Sequence, residues 1–192
     1  GIRLVDLKCE LDLTIEDCTI KNNHDGLEPG IVDLTLLDSS FEENESGLEY
    51  ASVSTSVGDG YAVVSGCLFQ LHAPFDPDQG GVLNGKTGGI VARDSDGLVL
   101  MVGSTEFDRN QIGVLLNGVT GTFDFGTSWP IQAYPGGIST GGHSFITDDM
   151  NPWYQGLEHS VSYCGLFNGT ASQVSAVGNT WSYVAGDSIF SQ

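Results

Sequence analysis

Residues 13–29 read Leu-Thr-Ile-Glu-Asp-Cys-Thr-Ile-Lys-Asn-Asn-His-Asp-Gly-Leu-Glu-Pro, and residues 34–50, 21 positions later, read Leu-Thr-Leu-Leu-Asp-Ser-Ser-Phe-Glu-Glu-Asn-Glu-Ser-Gly-Leu-Glu-Tyr. Seven of the 17 positions are identical: Leu13/Leu34, Thr14/Thr35, Asp17/Asp38, Asn23/Asn44, Gly26/Gly47, Leu27/Leu48 and Glu28/Glu49. A third copy occupies residues 100–116, where Phe107, Asn110, Gly113 and Val114 fall on Phe41, Asn44, Gly47 and Leu48 at an offset of 66. Weaker copies run through residues 63–69 and 163–169. Each copy joins an alternating apolar strand to a polar turn carrying Asn, then to Gly and a second short apolar strand.

Alternation with period two means strands with one buried face. Strands this short, recurring every 21 or 22 residues with no helical pattern between them, do not build βαβ units. Each can instead pair with its own counterpart one period later, in a coil whose turns stack about 4.8 Å apart. The expected fold is therefore all-β, a right-handed parallel β-helix (solenoid) with loop insertions. A β-sandwich or jelly roll with accidental similarity between its strands is the alternative. Residues 1–192 form one domain or a section of a longer one, with regular coils at 1–70 and 98–125 and Gly- and Pro-rich insertions at 71–97 and 126–160. Neither end shows a helical cap, so neighbouring coils or subunits are expected to cover the ends of the stack.

Composition agrees with a β-rich chain: 27 glycines, 40% hydrophobic and only 16% charged residues. The charge is lopsided, with 25 acidic against 6 basic residues and a net charge of -19. Such a polyanion repels nucleic acid and anionic lipid, and it leaves cations, calcium above all, and neutral or cationic molecules as partners. The same acidity also serves solubility alone. No stretch of about 18 apolar residues exists to span a membrane. Four cysteines are too few to define a disulfide scaffold or a compartment.

The coils, reading apolar strand, small or Cys residue, Ile or Phe, two polar residues, Asn, then Gly-Leu, resemble the pectate-lyase-like right-handed β-helix superfamily. Asn23, Asn44 and Asn110 match the turn Asn that stacks into a ladder there. That resemblance covers residues 1–121 and implies a fold more than a function. The segment Asn23-His24-Asp25-Gly26-Leu27-Glu28 is similar to the Asn-Thr-Asp-Gly-Ile-Asp element of polygalacturonase-type inverting glycoside hydrolases, which would make Asp25 a catalytic carboxylate. The next coil of those enzymes offers two Asp residues where this chain has Glu45-Ser46, and their Gly-His-Gly and Arg-Ile-Lys elements have no counterpart here. Polysaccharide lyases of the superfamily need a basic group, for which Arg93 and Arg109 are the candidates.

Glu28 and Glu49 occupy one repeat position and are expected to stack about 5 Å apart, where two carboxylates repel by about 3 kcal/mol at an effective dielectric of 20. A raised pKa, a bound calcium ion or splaying into water would each relieve this. Asp94 and Asp96, in Asp-Ser-Asp-Gly, are further candidate metal ligands. Trp129, Tyr134, Trp153 and Tyr154 are candidate sugar platforms or interface residues. Asn44 and Asn168 begin glycosylation sequons, and Cys18 and Cys67 are expected to stack in the coil interior.

The function expected from these features is that of a non-catalytic extracellular or particle-surface module, structural or adhesive, in a fibre or assembly and stabilised by cations. Its partners would be other copies, neighbouring subunits or glycans. The alternative is a carbohydrate-active enzyme, a polysaccharide hydrolase or a tailspike-like glycan-cleaving protein, using Asp25, Glu28 and Glu49.

Overall fold

The computed structural model describes residues 1–3, 12–30, 32–51, 61–72, 87–110, 112–126, 144–147, 164–172, 174–176, 179–183 and 190–191. Its strands, numbered in chain order, build three parallel sheets. The first contains β1 (Ile2–Arg3), β4 (Asp25–Glu28), β7 (Ser46–Ala51), β10 (Gly88–Arg93), β13 (Ile112–Asn117), β16 (Cys164–Gly169) and β19 (Phe190–Ser191). The second contains β2 (Asp12–Glu16), β5 (Asp33–Leu37), β8 (Tyr61–Ser65), β11 (Leu98–Gly103), β14 (Gly121–Asp124) and β17 (Val174–Ser175). The third contains β3 (Thr19–Lys21), β6 (Ser40–Glu42), β9 (Leu68–Gln70), β12 (Glu106–Asp108), β15 (Ser144–Thr147) and β18 (Thr180–Tyr183).

Each strand pairs with the third strand before and after it, so the chain visits the three sheets in rotation, an arrangement consistent with a parallel β-solenoid. Every pairing between described strands is parallel. The antiparallel ladders of a sandwich or jelly roll are absent among them. The 21-residue repeat is read directly in the register, where Leu13, Thr14 and Ile15 face Leu34, Thr35 and Leu36.

Because the register is parallel and unshifted, like side chains stack in columns through the core. Leu27, Leu48, Ile90, Val114 and Leu166 form one such column, all 3% exposed or less. In the third sheet Phe41, Phe69 and Phe107 lie in register, with ring centroids 5.0 and 5.4 Å apart and planes inclined by 15° and 10°. Aromatic stacking of this kind adds to the area the rings remove from water.

The corners between strands repeat as faithfully. Asp17, Asp38, Gly66 and Ser104 all have left-handed backbones, φ 52°, 45°, 67° and 45°. The Asp17 N–H donates to Leu37 O, Asp38 to Ser65 O and Gly66 to Gly103 O, at 3.0–3.3 Å. A left-handed non-glycine residue costs about 1 kcal/mol, and Asp tolerates it better than most. At Gly66 a Cβ would stand 2.1 Å from Asp38 Oδ1, so a side chain there would require the Asp38 carboxylate to swing aside.

The corner that leads into the first sheet carries the polar column. Asn44 Oδ1 accepts the Asn23 main-chain N–H at 2.9 Å, and Asn110 Oδ1 accepts that of His72 at 3.0 Å. Between them the Asn44 N–H donates to His72 Nδ1 at 3.3 Å. Asn23, Asn44, His72 and Asn110 are thus four successive rungs. Side-chain amides close the rungs downward: Asn44 Nδ2 donates to Ile20 O (3.0 Å) and Asn110 Nδ2 to Phe69 O (2.8 Å).

Several expectations change here. Within 71–97 the strand-like piece read at residues 89–92 lies in β10 (Gly88–Arg93), a full rung between β7 and β13, and β15 falls within 126–160, a stretch expected to be all insertion. Cys18 is exposed and only Cys67 is buried, since the repeat places both outside the strands at a corner and Cys18 lies near one edge of the stack. Asn44 is fully buried as a ladder rung, which removes it as a glycosylation site. Trp129, Tyr134, Trp153 and Tyr154 lie outside the described residues.

Truncating Phe69 in the middle of its stack to Ala should cost about 3–5 kcal/mol of unfolding free energy. Asn44→Ala should cost about 1–3 kcal/mol, because it leaves the Asn23 N–H and Ile20 O without partners, whereas Thr14→Ala on the exposed face should stay within about 0.5 kcal/mol. Denaturant unfolding of the three variants checks the order.

Candidate functional site

Alternation along the first sheet sends Leu27, Leu48, Ile90 and Ala92 into the core and therefore Glu28, Glu49, Val91 and Arg93 to the other face. On that outer face the polar and apolar halves separate. Val91, Ile112 and Leu115, with Phe167 against them, form a second apolar cluster apart from the core. Asp25, Glu28, Ser46, Glu49 and Arg93, joined by His24 and Glu45 at the adjoining corner, form a polar network.

The Leu27–Leu48 pairing puts Glu28 and Glu49 in neighbouring rungs, as the repeat requires. Their repulsion is relieved by arginine. Arg3 Nε stands 2.7 Å from Glu28 Oε2. Arg93 Nε and Nη2 stand 2.9 and 2.8 Å from Glu49 Oε1. Each arginine comes from a neighbouring rung, β1 beside β4 and β10 beside β7, so an ion pair between strands lies against each carboxylate, a relief that the repeat alone did not suggest.

Glu49 is nearly buried, at 4% exposure, and its other oxygen reaches the network. Ser46 Oγ lies 3.1 Å from Glu49 Oε2 and 2.8 Å from Asp25 Oδ1. A hydroxyl has one hydrogen and donates to only one of them, and a proton on either carboxyl would let that group donate to the Ser46 oxygen in turn. Electrostatics decides which. Burial, then the hydrogen bond and negative charge of Asp25, push the Glu49 carboxyl above its ordinary range, with Arg93 opposing. For Asp25 burial acts upward, but hydrogen bonds from Glu49, Ser46 and His24 and the charge of His24 outweigh it and hold the carboxyl below its ordinary range. Of the two, Glu49 is therefore the one that takes up a proton first as pH falls, and Asp25 the one that holds its charge.

His24 closes the network at the surface, with Nδ1 3.1 Å from Asp25 Oδ2 and Nε2 2.6 Å from Glu45 Oε2. Burial lowers its pKa, yet the Asp25 hydrogen bond and the charges of Asp25, Glu45 and Glu49 prevail and raise it. Chemically the network offers a proton donor and an ionised acceptor bridged by one hydroxyl. The pairing of Asp25 with Ser46 and Glu49 is not apparent in the repeat alone, where Ser46 is a departure from the hydrolase pattern and Arg93 follows Glu49 by 44 residues.

The remaining candidates stand apart. Asp94 and Asp96 are exposed corner residues, the first left-handed at φ 49° and the second accepting from Thr120 Oγ1 at 3.0 Å. Among the described residues no three His, Cys, Asp or Glu side chains are grouped to hold a metal ion. Asn168 is partly buried near the end of β16, its Oδ1 accepting the Thr170 N–H at 3.1 Å. Arg109, a candidate lyase base, holds Asp108 through Nε and Nη2 at 3.0 and 2.7 Å. Among the described residues no helix is long and apolar enough to cross a membrane.

Arg93→Ala should destabilise the fold by about 3 kcal/mol at pH 8, where it leaves a buried carboxylate without its partner, and by less as pH falls and Glu49, its pKa raised, takes up a proton; Glu49→Gln should cost less than Arg93→Ala. For His24, whose pKa is raised on folding, the stabilisation is complete below its unfolded value and fades as pH rises through the folded one. The melting temperature of His24→Gln should therefore lie below that of the parent at pH 6 and meet it by pH 9. No family model, curated protein or solved structure matches the chain.

Proposed function

We propose that the chain is a right-handed parallel β-helix serving as a rigid, non-catalytic module of an extracellular or particle surface, in a fibre, adhesive or assembly role. The observation that carries this is the use made of the outward charged side chains. Arg3 with Glu28, Arg93 with Glu49 and His24 with Glu45 each link one rung to the next. Charged groups engaged in this way hold turns together. The rotation of strands through three sheets and the unshifted register support the coil. The net charge of -19 suits a soluble surface whose partners are neutral or cationic and whose exposed carboxylates are screened by ions such as calcium.

One observation favours a second function, glycan hydrolysis. Asp25 and Glu49 are neighbouring carboxyls pushed in opposite directions, the pattern of a general base beside a general acid. A panel of acidic and neutral polysaccharides assayed for reducing ends separates the two. The scaffold role predicts no turnover, and Asp25→Asn and Glu49→Gln indistinguishable from the parent. Turnover with a bell-shaped pH profile, lost in both variants while their melting temperatures hold, would establish hydrolysis instead.

A further inference from the structure

The polar column contains a residue of a different kind. At three rungs the side chain is asparagine, and Asn44 Oδ1 and Asn110 Oδ1 each accept the main-chain N–H of the preceding rung. At His72, in the neutral tautomer that carries its hydrogen on Nε2, the acceptor in the same place is Nδ1 of the imidazole, 3.3 Å from the Asn44 nitrogen and 3.1 Å from Asn44 O. An amide oxygen stays an acceptor at every pH a protein survives. An imidazole nitrogen does not.

The ring has nowhere to escape. His72 is fully buried, lies 6.2 Å from the Phe69 ring, and occupies space that a side chain on Gly47 would need, since a Cβ there would stand 2.8 Å from Nε2. Nε2 itself is buried with no hydrogen-bond partner. Phe41, Phe69, Gly47, Asn44 and Asn110 surround or bond the residue. The charged side chains on the same elements, Glu42 on β6 and Glu49 on β7, flank the inward Phe41 and Leu48 and so lie on the opposite strand faces. Glu43, Glu45 and Arg109 share the corner. None of these charges enters the causes of its titration, which are burial, lowering the pKa to about 4, and the backbone of Asn44 and Phe41, acting weakly the other way.

We propose that His72 is an acid-sensitive catch in the polar column: neutral, it joins the rungs of Asn44 and Asn110, and on taking up a proton it releases the Asn44 N–H and loosens the stack at that corner. Protonation at Nδ1 turns the acceptor into a donor facing the donor of Asn44. The new N–H can turn only to Asn44 O, 3.1 Å away, and the Asn44 N–H is then stranded in the interior. The imidazolium is meanwhile buried with no carboxylate against it.

The sign follows from linkage. A histidine that is neutral when folded and has a lower pKa there than when unfolded contributes fully above about pH 6.5 and progressively less as pH falls toward about 4. The stack is thus firm near neutrality and weakened in mild acid. This is opposite in direction to His24, whose stabilisation fades at high pH.

The test is His72→Asn, which installs the rung found at the other three positions. Parent and variant are unfolded in denaturant between pH 4 and 8. The parent should lose stability between pH 6.5 and 4 and the variant should lose clearly less over that interval; equal losses overturn the proposal. Carbon-13 labelling of the parent's histidines gives a reading independent of whether the variant folds: the His72 ring should stay neutral to about pH 4, and titration near 6.5 overturns it. Amide exchange, corrected for its intrinsic pH dependence, should show protection of Asn44 falling in acid more than that of Asp17 at the opposite corner; equal changes also overturn it.

Discussion

A side chain in one rung of this molecule meets the residue at the same place in the next, about 4.8 Å away. That constraint governs every column. Where the position is apolar, as at Leu27, Leu48 and Ile90, stacking like on like makes a continuous core. Where it is aromatic the rings align, and where it is a corner the same left-handed turn recurs with its N–H bonded to the next rung. The constraint is costly when the repeated residue is charged, because like charges are then brought together in register.

The chain meets that cost in two ways. Arginines from adjacent rungs pair with Glu28 and Glu49, and the pKa of Glu49 is raised because the site is poorly solvated and Asp25 is close. With only six basic residues against 25 acidic ones, placing two of them at this stack is an economical use of positive charge. The exposed carboxylates need no such treatment, since water and salt screen them. The polar network therefore has a structural explanation, although its donor–acceptor pair also has the chemistry of acid–base catalysis.

The asparagine column shows how a repeat tolerates substitution. Its requirement is an acceptor at a fixed height, and an imidazole nitrogen satisfies it as an amide oxygen does. Geometry is conserved while proton affinity is not, so one rung acquires a dependence on pH that the others lack. The signal was present in the repeat: Phe41, Phe69 and Phe107 are each followed three residues later by Asn44, His72 and Asn110. It is easily missed because histidine replaces the asparagine of the other copies, so the copy at residues 63–69 reads as ending at its aromatic residue.

The sequence by itself determined the all-β class, the period, the pairing of residues 12–16 with 33–37, the asparagine ladder and the stacking of Glu28 on Glu49, because each follows from local alternation repeated at a fixed interval. Only the tertiary structure decided what faces what across interrupted repeats. Arg93 reaches Glu49 and His72 meets both Asn44 and Asn110 across 28 to 44 residues of chain, and spacing loses its meaning once the copies are no longer one period apart. Burial also had to be seen rather than read: Asn44 has the sequence of a glycan acceptor and the environment of a core residue. Repetition specifies a register locally, whereas charge compensation and burial depend on which rungs the folded chain brings together.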